Sequence, residues 1–199
     1  MSKKIIFYLP ELFADWEGAF LLPELREVKK DVVVVSETGN PVQSIGKLTV
    51  SVDASLDSVN LDDIEGLILI GSDSWPDPKL NKSVLVLAKQ LYHKGILVAG
   101  ICAATVAMAK IGLLEEKKHT SNDLEFLKKY VPSYHGEKNF QEKLAVRDGN
   151  LITAPGIAPI EFTLEVMNYY GIYSEAKRKQ WFAMFKNGVK PPKEFWTSP

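Results

Sequence analysis

Leu97-Val98-Ala99-Gly100-Ile101-Cys102-Ala103-Ala104-Thr105 decides the fold, because here an apolar run passes through glycine into a helix-forming segment. The stretch reads as a strand, a sharp turn carrying Cys102, and the start of a helix. Gly100-x-Cys102-x-Ala104 is a cysteine version of the nucleophile elbow, in which small neighbours let a strained turn lift the reactive atom above a sheet edge. A thiol there faces the first backbone N–H groups of the next helix, whose partial positive charge favours thiolate, so a depressed pKa is expected. Cys102 is the chain's one cysteine. The competing reading is a buried apolar filler, since free cysteine is among the most buried residue types; the elbow spacing favours the reactive one.

Outward from this stretch, apolar runs and amphipathic segments alternate. Toward the N-terminus, Ile5 to Leu9 reads as a buried first strand, followed by a helix beginning near Asp15 as N-cap, with Pro23 bending or restarting it. Asp31 to Ser36, with four consecutive valines, is the clearest strand. Gly39-Asn40-Pro41 is turn chemistry and Lys47 to Val52 alternates, which predicts a small hairpin excursion. Gly66 to Gly71 is another buried strand. Leu80, Val84, Leu87 and Leu91 recur at helical spacing between Asp77 and Lys94. Strands joined by helices of this length imply parallel pairing.

Toward the C-terminus, Ala103 to Ile111 is the elbow helix, and Asn122-x-x-Glu125 resembles a capping box opening a short helix. Lys143 to Ala154 forms a hairpin turning at Asp148-Gly149, and Pro159 to Tyr170 is helical with proline in its first turn. Ser174 to Gly188 carries Trp181, Phe182, Met184 and Phe185, which fit packing on the body or on a partner subunit better than a ligand box. Residues 1–199 are expected to form a single domain, with an aromatic helical extension over about 174–199.

At 199 residues the chain can bury one substantial core. Its 24 basic and 25 acidic residues leave a formal charge of -1, which provides no field to recruit nucleic acid or a membrane surface. One cysteine cannot form an internal disulfide, and the apolar run Ile5 to Leu9 is too short for a signal segment, so a cytoplasmic location is expected. No stretch approaches a membrane span. There is no phosphate loop, no dinucleotide fingerprint and no paired His/Cys spacing for zinc, so no cofactor and no metal are expected. The short lysine pairs and the acids Asp57, Asp62, Asp63 and Glu65 read as solvated surface.

Five blocks occur in an order that resembles the ThiJ/PfpI superfamily, within the class I glutamine amidotransferase-like fold. They are Ala14-Asp15-Trp16-Glu17, Leu69 to Trp75, Gly100 to Thr105, His119-Thr120-Ser121-Asn122 and Leu151 to Gly156. The resemblance runs from about Ile5 to Tyr170. It implies a flavodoxin-like α/β three-layer sandwich with a mostly parallel central sheet and the cysteine elbow at its carboxyl edge. It further implies Cys102 as the reactive thiol and Glu17, from the first helix, as its acidic partner, protonated because two adjacent anions are disfavoured in a poorly solvated pocket. The backbone N–H groups of Ser72 and Ala103 match its oxyanion donors. Gly71, Asp73, Trp75, His119, Asn122 and His135 are further candidate pocket residues.

The departures shape the functional reading. Proteolytic members place a histidine directly after the cysteine, where this chain has Ala103, and others carry a histidine where it has Asn122. His119 and His135 stay open as candidates, although surface positions fit them better, and no complete triad is visible. The late His-x-Glu of amidotransferase domains is absent, so neither peptidase nor glutaminase activity is expected. Two classes of function remain. One is cysteine chemistry on small electrophilic carbonyl or amide compounds, of weak hydrolase, glyoxalase or deglycase type, in a homodimer. The other is a cysteine-oxidation stress sensor or chaperone.

Overall fold

The four valines of the Asp31–Ser36 run and the apolar runs before and after it become neighbouring strands of one sheet. The computed structural model describes residues 3–77 and 79–196. In chain order these form β1 (Lys4–Tyr8), α1 (Leu21–Glu27), β2 (Asp31–Ser36), β3 (Val42–Gln43), β4 (Thr49–Val50), β5 (Ala54–Ser55) and β6 (Ile64–Leu69). There follow α2 (Lys82–His93), β7 (Leu97–Ile101), α3 (Ala104–Lys110), α4 (Leu124–Tyr130), β8 (Val146–Asp148), β9 (Leu151–Ala154), α5 (Pro159–Tyr170) and α6 (Glu175–Asn187).

The main sheet has seven strands in the order β5-β2-β1-β6-β7-β9-β8. All pairings are parallel except β8 with β9, the hairpin that turns at Asp148-Gly149. Strand alternation sends Ile6, Tyr8, Leu67, Leu69 and Val98 to one face, against α2, α3 and α4. Ile5, Phe7, Ile68, Ala99 and Ile101 go to the other, against α1, α5 and α6. A sheet covered on both faces needs apolar side chains at successive positions, which is why its strands appear as continuous runs. The result is the expected α/β sandwich with a mostly parallel sheet.

Several local expectations shift. The first helix begins at Leu21, not at Asp15, because the Asp15 carboxylate accepts the Gly46 N–H at 2.9 Å instead of capping a helix. Glu17 therefore stands in a turn, and Pro23 sits within the first turn of α1, where its missing N–H costs nothing. Leu80 precedes α2 and is exposed. The cap of α4 is Asp123, whose side chain accepts the Phe126 N–H at 2.6 Å, so Asn122 is free for another task. In the acidic stretch, Glu65 lies in β6 and pairs with Lys30 at 2.9 Å.

The C-terminal aromatic segment is helix α6, opened by Ser174, which accepts the Lys177 N–H. Trp181 is 1% exposed and donates its Nε1–H to Glu24 of α1 at 2.6 Å, so the segment packs on the body. Residues 197–199 of the expected extension lie outside the described residues. No helix among the described residues is long and apolar enough to cross a membrane.

The topology also sets the place for chemistry. β2 lies on one side of β1 and β6 on the other, so the strand order reverses at β1 and a crevice opens at the carboxyl ends. The loops after β1, β6 and β7 all end there.

Candidate active site

Cys102 follows β7 directly and takes φ +59°, a left-handed conformation that costs a non-glycine residue about 1 kcal/mol or more and marks a true elbow. The surroundings hold it there. Its N–H donates to Ala154 O at 2.9 Å, and its carbonyl accepts the Thr105 N–H at 3.0 Å and the Thr105 hydroxyl at 2.5 Å. The Thr105 hydroxyl also meets Ser121 Oγ at 2.7 Å, which ties the segment before Asn122 to the elbow.

Glu17 reaches the same crevice because the chain after β1 locks onto the loop after β6. Phe13 bridges to Ser72, and the Ala14 N–H donates to Gly71 O at 2.9 Å. The Glu17 side chain is fully buried, and its Oε2 accepts the Gly71 N–H at 2.7 Å. Its Oε1 has no hydrogen bond of good geometry. Two glycines are required by space. A Cβ on Gly71 would lie 2.7 Å from Cys102 Cβ, and one on Gly156 would lie 2.8 Å from Cys102 Sγ and 3.0 Å from Glu17 Oε1.

Asn122 completes the group. Its Oδ1 accepts the Gly156 N–H at 2.9 Å, which turns its Nδ2–H₂ toward Cys102 Sγ at 3.4 Å. Gly156 O in turn accepts the Trp16 Nε1–H at 2.8 Å. Neither Trp16 nor Gly156 was singled out among the candidates from sequence, although both lie in the quoted blocks; adjacency to Glu17 is the signal for the first, and the tight Pro155-Gly156 turn after a strand for the second.

Burial sets the acid–base character. It raises Glu17 from 4.5 to about 7, against the hydrogen bonds from Cys102 and the Gly71 N–H. Burial and then the Glu17 charge push Cys102 up to about 11, opposed by Asn122 and the Ala103 N–H. The depressed thiol pKa expected from the helix N-terminus is thus overturned: loss of water and a neighbouring carboxylate outweigh the donors. Between these two values the pair holds one proton in common.

The histidines lie elsewhere. His119 is fully buried, not on the surface as expected. Its Nδ1 faces the Lys117 carbonyl at 2.6 Å and must carry the proton, so Nε2 accepts from the Tyr134 hydroxyl at 2.5 Å. Desolvation lowers its pKa, against the Lys117 carbonyl and Glu115. His135 is exposed with its N–H on Glu115, and His93 ends α2 beside the start of β7, at the opposite end of that strand from Cys102. Trp75, a candidate pocket residue, is instead buried in the core against Tyr8, with Nε1–H on Ile70 O at 2.8 Å. Asp73 is exposed. Ser72 turns its hydroxyl away to Glu11 O and Ser74, leaving its backbone beside Gly71. Among the described residues no group of His, Cys, Asp and Glu could hold a metal ion.

The chain is similar to known proteins. The uncharacterized protease YoaZ of Bacillus subtilis is 32% identical over 98% of this chain and 95% of its own length. The deglycase TK1284 of Thermococcus kodakarensis is 27% identical over 59% of this chain and 71% of its own. The crystal structure of a ThiJ/PfpI family protein from Bacillus anthracis superposes with a TM-score of 0.90, at 33% identity, covering 99% of this chain and 95% of that one. The sequence model of the DJ-1/PfpI family matches residues 3–169, from β1 into the last turn of α5 and across every element that builds the elbow and its carboxyl neighbour; the chain belongs to the DJ-1/PfpI family.

Proposed function

We propose that the chain is an enzyme whose Cys102 adds to the carbonyl carbon of small electrophilic compounds, with reactive dicarbonyls as the substrate class. The observation that carries this reading is a thiol on a strained elbow in one crevice with the fully buried Glu17 carboxyl, with the Asn122 amide on the sulfur and both ring nitrogens of His119 engaged elsewhere. The thiol proton passes to Glu17 as the S–C bond forms, and the carbonyl electron pair moves to oxygen, held by the N–H groups of Ser72 and Ala103. Glu17 then returns the proton to that oxygen, giving a hemithioacetal. With methylglyoxal, Glu17 takes the C1 proton as the C2 carbonyl oxygen gains one, giving an enediol; it returns the proton to C2 as the C1 hydroxyl loses its own to form the thioester carbonyl, and water hydrolyses that thioester to lactate and free thiol. A peptide bond is a poorer substrate, because its leaving amine must be protonated and both ring nitrogens of His119 are engaged away from the sulfur.

The deglycase name of one relative supports carbonyl chemistry, whereas the protease name of another makes peptides the necessary control. Wild-type protein is expected to convert methylglyoxal slowly to lactate and to leave peptide substrates intact. Peptide hydrolysis lost in His119→Ala would overturn the assignment.

One observation also favours a sensor role. Glu17 Oε1 has no good hydrogen bond and, once protonated, can donate to an oxygen added at sulfur. Two equivalents of peroxide would convert the thiol first to sulfenic and then to sulfinic acid, each releasing one water. Mass spectrometry after mild peroxide is expected to show a gain of about 32 Da at Cys102. The gain should precede oxidation of Met108, which is fully buried, and of Met184, which is half-buried. Methionine oxidation with Cys102 still reduced would remove the sensor reading.

A further inference from the structure

Trp16 is 49% exposed, yet its indole N–H is committed to a backbone carbonyl 140 residues away. Gly156 is buried and the bond is partly so, and its consequence lies in what it holds. The carbonyl belongs to Gly156, in the turn closed by the Ala158 N–H on Pro155 O at 3.0 Å. The Gly156 N–H is held by Asn122, whose other end contacts the sulfur. Three hydrogen bonds therefore run from the indole, through the turn, to Cys102 Sγ.

The turn leaves no room for a side chain beside the sulfur. A single added carbon on Gly156 would come within 2.8 Å of Sγ. The next residue, Ile157, is 82% exposed, so its side chain does not anchor the turn. The indole holds the Gly156 carbonyl and Asn122 holds its N–H.

We propose that Trp16 is a specificity-determining latch, which holds the 155–158 turn over Cys102 so that small electrophiles reach the sulfur while bulky ones wait for the indole–Gly156 bond to open. The proposal rests on Cys102 being the reactive thiol. It names the substrate property the site selects, compactness around the carbonyl, and assigns that selection to a side chain that does not touch the sulfur.

The test compares two reagents with the same reacting group, iodoacetamide and a biotin-linked iodoacetamide, so that intrinsic thiol reactivity cancels in their ratio. Second-order rates at Cys102 are measured in wild type and in Trp16→Phe, which keeps a ring and removes the donor. The bulky-to-small ratio is expected to rise about fivefold, the equivalent of one net hydrogen bond, with the iodoacetamide rate changed less than about twofold. An unchanged ratio in Trp16→Phe overturns the latch. Should that variant not fold, the wild type decides: biotin-labelled protein should show more acrylamide quenching of tryptophan fluorescence than carbamidomethylated protein, and equal quenching overturns the latch. Failure of the dicarbonyl reading looks different, since methylglyoxal would then not be consumed while the ratio still responds to Trp16.

Discussion

Cys102→Ser should reduce methylglyoxal turnover by about 10³-fold or more while leaving the fold intact. Serine fits the same elbow, its hydroxyl can still face Asn122, and the φ of +59° is no harder for serine than for cysteine. What changes is the nucleophile. A hydroxyl is far less acidic and less nucleophilic than a thiol, so the same carboxylate activates it far less. Unfolding by urea is expected to show a difference within about 1 kcal/mol. Retention of more than about a tenth of the activity would mean that turnover bypasses the sulfur, and the proposed chemistry would fail.

Glu17→Gln should lower turnover by about 10²-fold or more, because glutamine can accept the Gly71 N–H but cannot carry a proton. The wild-type rate is expected to rise through about pH 7, as the pair reaches its one-proton form, and to fall near pH 11. Replacing the carboxylate removes the charge that opposes thiol ionisation, so iodoacetamide alkylation of the variant should gain its ionised-thiol limb below pH 11. Stability moves in the opposite sense to turnover. Burial raises the folded-state pKa above 4.5, so the stability contributed by the neutral carboxyl is fully present below that pH and is lost as pH rises through about 7. Glutamine is neutral throughout. The variant should therefore match the wild type near pH 4.5 and exceed it by about 3 kcal/mol above about pH 8.5, as read by urea midpoints. A wild type that is the more stable form at alkaline pH would show that Glu17 is held as a satisfied carboxylate.

The strands of the sheet were legible because burial on both faces demands apolar side chains in succession, as in the Asp31–Ser36 valines and the Leu97–Ile101 run. Helix α5 over Pro159–Tyr170 and the Asp148-Gly149 hairpin were legible for equally local reasons. Local capping chemistry misled where two residues competed for it. Asn122 and Asp123 are both good caps; Asp123 took the helix, and Asn122 turned to the sulfur and Gly156. Asp15 likewise has the chemistry of a cap but is consumed by Gly46, a contact across 31 residues.

By itself, the sequence determined that an α/β sheet would carry Cys102 on a strained turn at its carboxyl edge, since backbone propensity and burial periodicity act over a few residues. Only the tertiary structure decided the chemistry of that thiol. Its pKa direction depends on how much water is excluded and on Glu17, a residue 85 positions earlier. The removal of His119 into the core depends on Tyr134 and Lys117, and the turn over the sulfur depends on Trp16 and Asn122. Desolvation and long-range hydrogen bonds are properties of the packed chain, and no local pattern of residues encodes them.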